Sequence, residues 1–258
     1  METQVLTRSI PTMEGSKQVY ENYTAEDQQV WKILFDRQME RLPAKATAEY
    51  LEGMQLINFS NERIPNFEET NQILRSLTGW ELTAVPGIVD DKVFFEQMSN
   101  KKFPATTWLR TMAQLDYLEE PDMFHDVFAH VPLLTNQHFV DFLESISKIG
   151  LKHYDNPYAI ELLSRIYWFT VEFGLILEKD ELRIYGAGIL SSAGETDFSL
   201  SDKPLRYAFD VEEVYNQPFR KDTFQDKYFI IESYEDLFSS IPLIEKVLED
   251  KLRAAGDA

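Results

Sequence analysis

The sequence predicts one mainly helical domain with small β elements, and three observations lead there. Apolar residues recur at helical spacing along most of the 258 residues, and strand-like alternation is confined to short runs. No linker-like break, internal repeat or low-complexity tract divides the chain. With 44% hydrophobic and 13% aromatic residues, it has ample material for a packed core. Residues 1–20 are polar and unpatterned and read as a flexible N-terminal arm; residues 21–258 read as the domain.

The elements follow in order. A helix starts at Thr24, where Thr-Ala-Glu-Asp resembles a capping box; Trp31, Leu34, Phe35, Met39 and Leu42 form its apolar face and Pro43 ends it. A second helix covers the run AEYLEGM, and a third spans Asn66 to Leu77 with Gly79 as its stop. WELTAV alternates like a short strand before the turn at Pro86-Gly87. Helices are expected again from Asp90 to Ser99 and from Pro121 to Ala129, with Asp122 where the helix dipole favours an anion. Asn136 caps another, with Phe139, Leu143 and Ile146 inside and Gly150 at its end. A long helix follows Pro157 through Ile160, Leu163, Tyr167 and Val171. A strand at Leu182–Tyr185 leads into the turn-rich run GAGILSSAGE, and the tail reads as a strand plus a helix.

Charge narrows the partners. A net −19 repels phosphate backbones and anionic lipid, so neither nucleic acid nor membrane is expected as a partner. The absence of cysteine excludes disulfides, Fe–S clusters and a thiol nucleophile, and it fits a reducing compartment. There is no signal-like apolar region and no apolar run near ~20 residues. A cytoplasmic protein acting as a monomer is the expectation.

The chain has four histidines, and two of them, His125 and His130, fall in PDMFHDVFAHVPLL. Two imidazoles and one carboxylate on one face of a redox-active iron leave positions open for O₂ and a substrate. The spacing is wrong for a zinc protease, whose pair stands at i and i+4 with a glutamate between. Five residues turn an ideal α-helix by about 500°, so the second histidine must lie past a helix end or at a distortion. Glu172, a lone acid in SRIYWFTVEFGLI, suits the third position, since a buried carboxylate needs a metal or a partner. On spacing alone, two ordinary polar histidines and an arginine salt bridge to Glu172 remain competing readings.

PDMFHDVFAHVPLL, IYWFTVEFGL and YGAGILSSAGE, in this order and spacing, resemble the aromatic amino acid hydroxylases, and LDYLEEPDMFHD resembles most the bacterial single-domain members that act on phenylalanine. The likeness runs from about residue 20 to 235. It implies a hydroxylase-like catalytic domain that uses Fe(II), a tetrahydropterin and O₂ to convert L-phenylalanine to L-tyrosine. His125, His130 and Glu172 are then the iron ligands. Arg110, in ATTWLRT, matches the arginine that takes the substrate carboxylate, for which a planar guanidinium is suited. Ser191 supports that end of the substrate, and Trp168 and Phe173 wall its ring. The run AVPGIVDDKVFF matches the pterin loop and places Val85, Gly87, Val89 and Phe94 at the cofactor, with Phe94 stacked on it and Tyr167 closing the slot.

Asp126 corresponds to an acid near pterin and water that is a glutamate in many relatives, and Ala129 stands where glycine is common. The resemblance gives His138 and His153 no ligand role. Trp168 favours phenylalanine, because tryptophan hydroxylases carry phenylalanine there. Alternatives within the same fold are hydroxylation of tryptophan, a different ring position, or a metal-binding homologue with weakened turnover.

Overall fold

The computed structural model describes residues 17–256 apart from 117, 119 and 222. Polar caps start the helices. Thr24 and Asp27 form a capping box at α1 (Ala25–Met39), Thr47 caps α2 (Ala48–Leu56), and Asn66 caps α3 (Phe67–Leu77). Each side-chain oxygen accepts a backbone N–H that the helix itself cannot pair. Gly79, at φ 79°, turns α3 toward β1 (Glu81–Val85). Asp90 caps α4 (Asp91–Ser99), which returns the chain to β2 (Lys102–Thr106), parallel to β1 with Val85 opposite Thr106.

The middle of the chain departs from regular helix twice. Phe124–His130 is a π-helix running into a 3₁₀ turn at Val131–Thr135. After α5 (Gln137–Lys152) and α6 (Pro157–Tyr167), the chain winds into a second π turn at Trp168–Glu172. There follow the hairpin β3 (Leu175–Glu178) and β4 (Glu181–Ile184), then α7 (Ala187–Leu190) and α8 (Ala193–Ser199). Next come β5 (Leu205–Ala208), α9 (Val211–Asn216), β6 (Lys227–Ile231), α10 (Tyr234–Ser239) and α11 (Ile241–Gly256). One sheet has the order β4-β3-β6-β5, with an antiparallel β3–β4 pair and parallel neighbours beyond it.

The core surrounds the first π segment. The rings of Phe124 and Phe128 stack at 4.5 Å and meet Trp31 and Phe35 of α1 edge-on. Tyr50 of α2 donates its hydroxyl to the Phe128 carbonyl at 2.9 Å, pairing an acceptor where the helix changes pitch. Each of these large side chains, removed from water, stabilises the fold by roughly 1.5–3 kcal/mol. The buried face therefore fixes the opposite face of the same turn, which carries His125 and Asp126.

Several expectations need correction. The helix assigned from Pro121 begins two residues later, because Asp122 is engaged by its side chain outside the helix. Gly150 does not end α5; a Cβ there would lie 2.7 Å from the Phe95 ring, so this glycine lets α4 pack against α5. The run GAGILSSAGE forms two short helices, and the tail helix is split in two at Ser240. The strands β2, β3 and β5 and helix α9 were not anticipated. Of the arm, residues 1–16 lie outside the described residues; Gln18 and Tyr20 bond to Pro65 and Ile64 carbonyls at 2.9 and 2.7 Å, so the chain is anchored from there on. Among the described residues no helix is long and apolar enough to cross a membrane.

Candidate active site

The i to i+5 ladder of the first π segment solves the spacing problem. In such a ladder, residues five apart stand one turn apart on the same face. His125 and His130 accordingly point their Nε2 atoms at each other, 3.3 Å apart. Glu172 ends the second π turn and faces both, with Oε2 3.5 Å from His125 Nε2 and Oε1 3.2 Å from His130 Nε2. Within that turn the Thr170 hydroxyl donates to the Ile166 carbonyl at 2.6 Å. Close approach then fixes Glu172. A Cβ on Gly186 would lie 2.5 Å from the Glu172 carbonyl, so only glycine lets the strand end before α7 pass there.

Proton inventory assigns the role of each nitrogen. The Ser191 hydroxyl has one proton, which it donates to the Ala187 carbonyl at 2.9 Å. It therefore accepts from His125 Nδ1–H at 2.9 Å, leaving the His125 Nε2 lone pair aimed at the centre of the trio. Burial lowers the His125 imidazole below its ordinary value. Burial alone would raise Glu172, but His130 and His125 outweigh it and hold this carboxyl below its usual range. Two ligands at right angles on ~2.1 Å bonds lie about 3.0 Å apart. The three donors fit one face of a divalent ion's coordination sphere, and they are the metal-capable His/carboxylate group found among the described residues.

Of the other anticipated residues, Ser191 bonds to His125 directly and Arg110 reaches it through Asp122. Arg110 directs its fork at Asp122, with Nε on Oδ2 and Nη2 on Oδ1, both at 2.9 Å. Asp122 is fully buried and also accepts the backbone N–H groups of Arg110 and His125, at 2.9 and 3.3 Å. One carboxylate thus ties the arginine to the turn that bears the first histidine. Among the described residues nothing takes the remaining guanidinium N–H groups. Ser191, Trp168, Phe173, Tyr167 and Asp126 are all half-buried.

Trp168 lies 4.7 Å from Phe173, ring to ring. Phe94 meets Tyr167 edge-on at 5.5 Å; Val85 is buried and Val89 half-buried. At Gly87 a Cβ would touch nothing within 4 Å, and its φ is not positive, so the protein itself makes no demand for glycine. Asp126 accepts the Thr106 backbone N–H at 2.8 Å, and burial raises its carboxyl above the ordinary value. His138 and His153 stand outside the cluster. Sequence reasoning missed Asp122 as the partner of Arg110, and also Phe219 and Gln225, which hold Trp168. The sequence places Asp122 near a helix N-terminus, which accounts for an acid there without pointing to Arg110. Gln225, in an unpatterned loop, carried no signal.

Comparison with known proteins places this arrangement. The family model for biopterin-dependent aromatic amino acid hydroxylases matches residues 8–253. Phenylalanine-4-hydroxylase of Ralstonia nicotianae is 47% identical over 93% of this chain and 79% of that protein. Rat tyrosine 3-monooxygenase is 36% identical over 83% of this chain and 43% of its own length. A crystal structure of Chromobacterium violaceum phenylalanine hydroxylase with bound iron(III) and oxidized cofactor 7,8-dihydrobiopterin superposes with a TM-score of 0.87, at 46% identity, covering 92% of this chain and 86% of that one. The chain belongs to the biopterin-dependent aromatic amino acid hydroxylases.

Proposed function

We propose that the chain is an iron(II)- and tetrahydropterin-dependent monooxygenase that hydroxylates L-phenylalanine to L-tyrosine with O₂, acting as a cytoplasmic monomer. The observation that carries this reading is the convergence of His125 Nε2, His130 Nε2 and Glu172 on one point, with the His125 lone pair directed there by Ser191. Relatives named phenylalanine-4-hydroxylase, at 47% and 45% identity, give the substrate.

In this reading His125, His130 and Glu172 hold the iron and leave its outer positions open. Iron and reduced pterin, when bound, supply the electrons that split O₂, one oxygen going to the ring and the other leaving with the pterin. The residues position and shield. Arg110, aimed by Asp122, takes the substrate carboxylate, and Ser191 supports that end while fixing the His125 ring. Trp168 and Phe173 wall the substrate ring. Val85, Gly87 and Val89 border the pterin, Phe94 stacks on it, and Tyr167 closes the slot. At Gly87 the reason for glycine is then the flat cofactor rather than packing. Asp126, held by Thr106, faces pterin and water.

Mass spectrometry of products from phenylalanine, tyrosine and tryptophan, with Fe(II), tetrahydropterin and O₂ supplied, tests the function. Tyrosine from phenylalanine is the expected product. No hydroxylated product from any of the three contradicts the reading, and tryptophan as the preferred substrate corrects it.

A further inference from the structure

Trp168 opens the turn that carries Glu172, and its indole is held on several sides. Phe219 stacks on it at 4.4 Å and 18°, Phe173 lies 4.7 Å away, and Gln225 Oε1 accepts its Nε1–H at 3.1 Å. Gln225 is buried, and its amide has one workable orientation. Its Nε2 donates to the carbonyls of Arg220 at 2.8 Å and Thr223 at 3.3 Å. Flipping the amide would set an oxygen against two carbonyls and an NH₂ against the indole N–H, repulsive at both ends. The backbone is fixed as well: the Gln225 N–H donates to Glu195 Oε1 at 3.1 Å, and this buried carboxylate also accepts the Tyr228 hydroxyl. Gln225 is thus locked from two directions before it meets the indole.

An indole has a single directional donor. The stacked Phe219 confines the plane of the ring, but stacking is indifferent to which edge carries the nitrogen. The acceptor decides that. Turning the ring over would leave the N–H facing away from Gln225 and the buried Gln225 amide oxygen without a donor, which is costly. The edge that the tryptophan offers toward the neighbouring Phe173 is therefore set by Gln225.

We propose that Gln225 is a specificity-determining positioning residue: by accepting the Trp168 N–H it fixes the pocket wall that tells a phenyl ring from an indole. This rests on the reading above in which Trp168 walls the substrate ring. Gln225 touches no reacting atom and acts through Trp168.

The test is a double-mutant cycle read as the ratio of kcat/KM for phenylalanine over tryptophan. Trp168→Phe should lower the ratio, since a smaller wall admits an indole. Gln225→Met, of similar volume but without the acceptor, should lower it about two- to tenfold, the range for one neutral hydrogen bond. In the Trp168→Phe background Gln225→Met should leave the ratio unchanged, because no N–H remains to be held. A merely structural role for Gln225 would lower it in both backgrounds. An unchanged ratio in Gln225→Met, or an equal fall in both backgrounds, overturns the proposal while leaving the function intact. A parent that makes no tyrosine overturns the function, and an unchanged ratio in Trp168→Phe overturns the pocket wall; either takes this proposal with it. Should Gln225→Met not fold, ultraviolet resonance Raman of the parent minus Trp168→Phe reads the Trp168 indole N–H directly. A hydrogen-bonded band is expected, and a free one overturns the proposal.

Discussion

At the scale of single residues, the site depends on side chains that touch no ligand. Ser191 is the clearest case. Its proton goes to Ala187, so it accepts from His125 and forces the other imidazole nitrogen to present a lone pair. Ser191→Ala should weaken Fe(II) binding about ten- to hundredfold, as the loss of such outer partners typically does. Anaerobic Fe(II) titration checks this, and unchanged affinity would contradict the assigned proton direction. Arg110 and Asp122 form the second case. Arg110→Lys keeps the charge and loses the fork, so KM for phenylalanine should rise roughly ten- to hundredfold, the cost of one charge-assisted bond. An unchanged KM would remove Arg110 from the substrate. The residue types of the trio were legible in the sequence, because histidine and an isolated acid in an apolar helix are rare enough to stand out. Asp122, Thr106 and Gln225 were not, since their roles come from partners 12, 20 and 57 residues away.

At the scale of elements, pitch is the device. An α-helix cannot place residues five apart on one face, and the sequence spacing therefore required a distortion without revealing its kind. The structure supplies π segments at both ligand-bearing elements, consistent with the tendency of such segments to occur at functional sites. The second is held by Gly186 at the Glu172 carbonyl. Gly186→Ala should lower stability by roughly 1–3 kcal/mol through overpacking, and reduce iron content by displacing Glu172. Thermal melts and metal analysis measure both, and a variant with unchanged stability and iron would show that the contact relaxes freely. The helices with side-chain caps were legible because Thr24 and Asn66 announce them. The hairpin β3–β4 was half hidden. Its turn uses Lys179 and Asp180, at φ 51° and 65°, where the usual asparagine-glycine or aspartate-glycine signal is absent. GAGILSSAGE misled in the opposite direction: its glycines serve close packing around the site, so a composition that reads as turn forms helix instead.

At the scale of the whole molecule, one bound ion would join two parts of the chain, the π segment packed on α1 and α2 and the π turn that follows α6, with the α7 region bracing both through Ser191 and Gly186. An ion that binds only the folded state stabilises it by mass action, about 2.7 kcal/mol at a hundredfold excess over its dissociation constant. Fe(II), added without oxygen, should therefore raise the melting temperature of the parent and leave that of Glu172→Ala nearly unchanged. Equal shifts in both would place the metal elsewhere. The fold class was legible because helical periodicity pervades the chain, and the composition allowed one core. The joining of His125, His130 and Glu172 was legible only through the family resemblance and not through spacing or periodicity, since it depends on how distant elements pack. The most direct measurement of the central claim sets iron bound per chain beside tyrosine formed per pterin oxidised, in the parent and in Glu172→Ala. The trio predicts about one iron and coupled tyrosine formation in the parent, and loss of both in the variant. Full iron with full coupled activity in Glu172→Ala would contradict it.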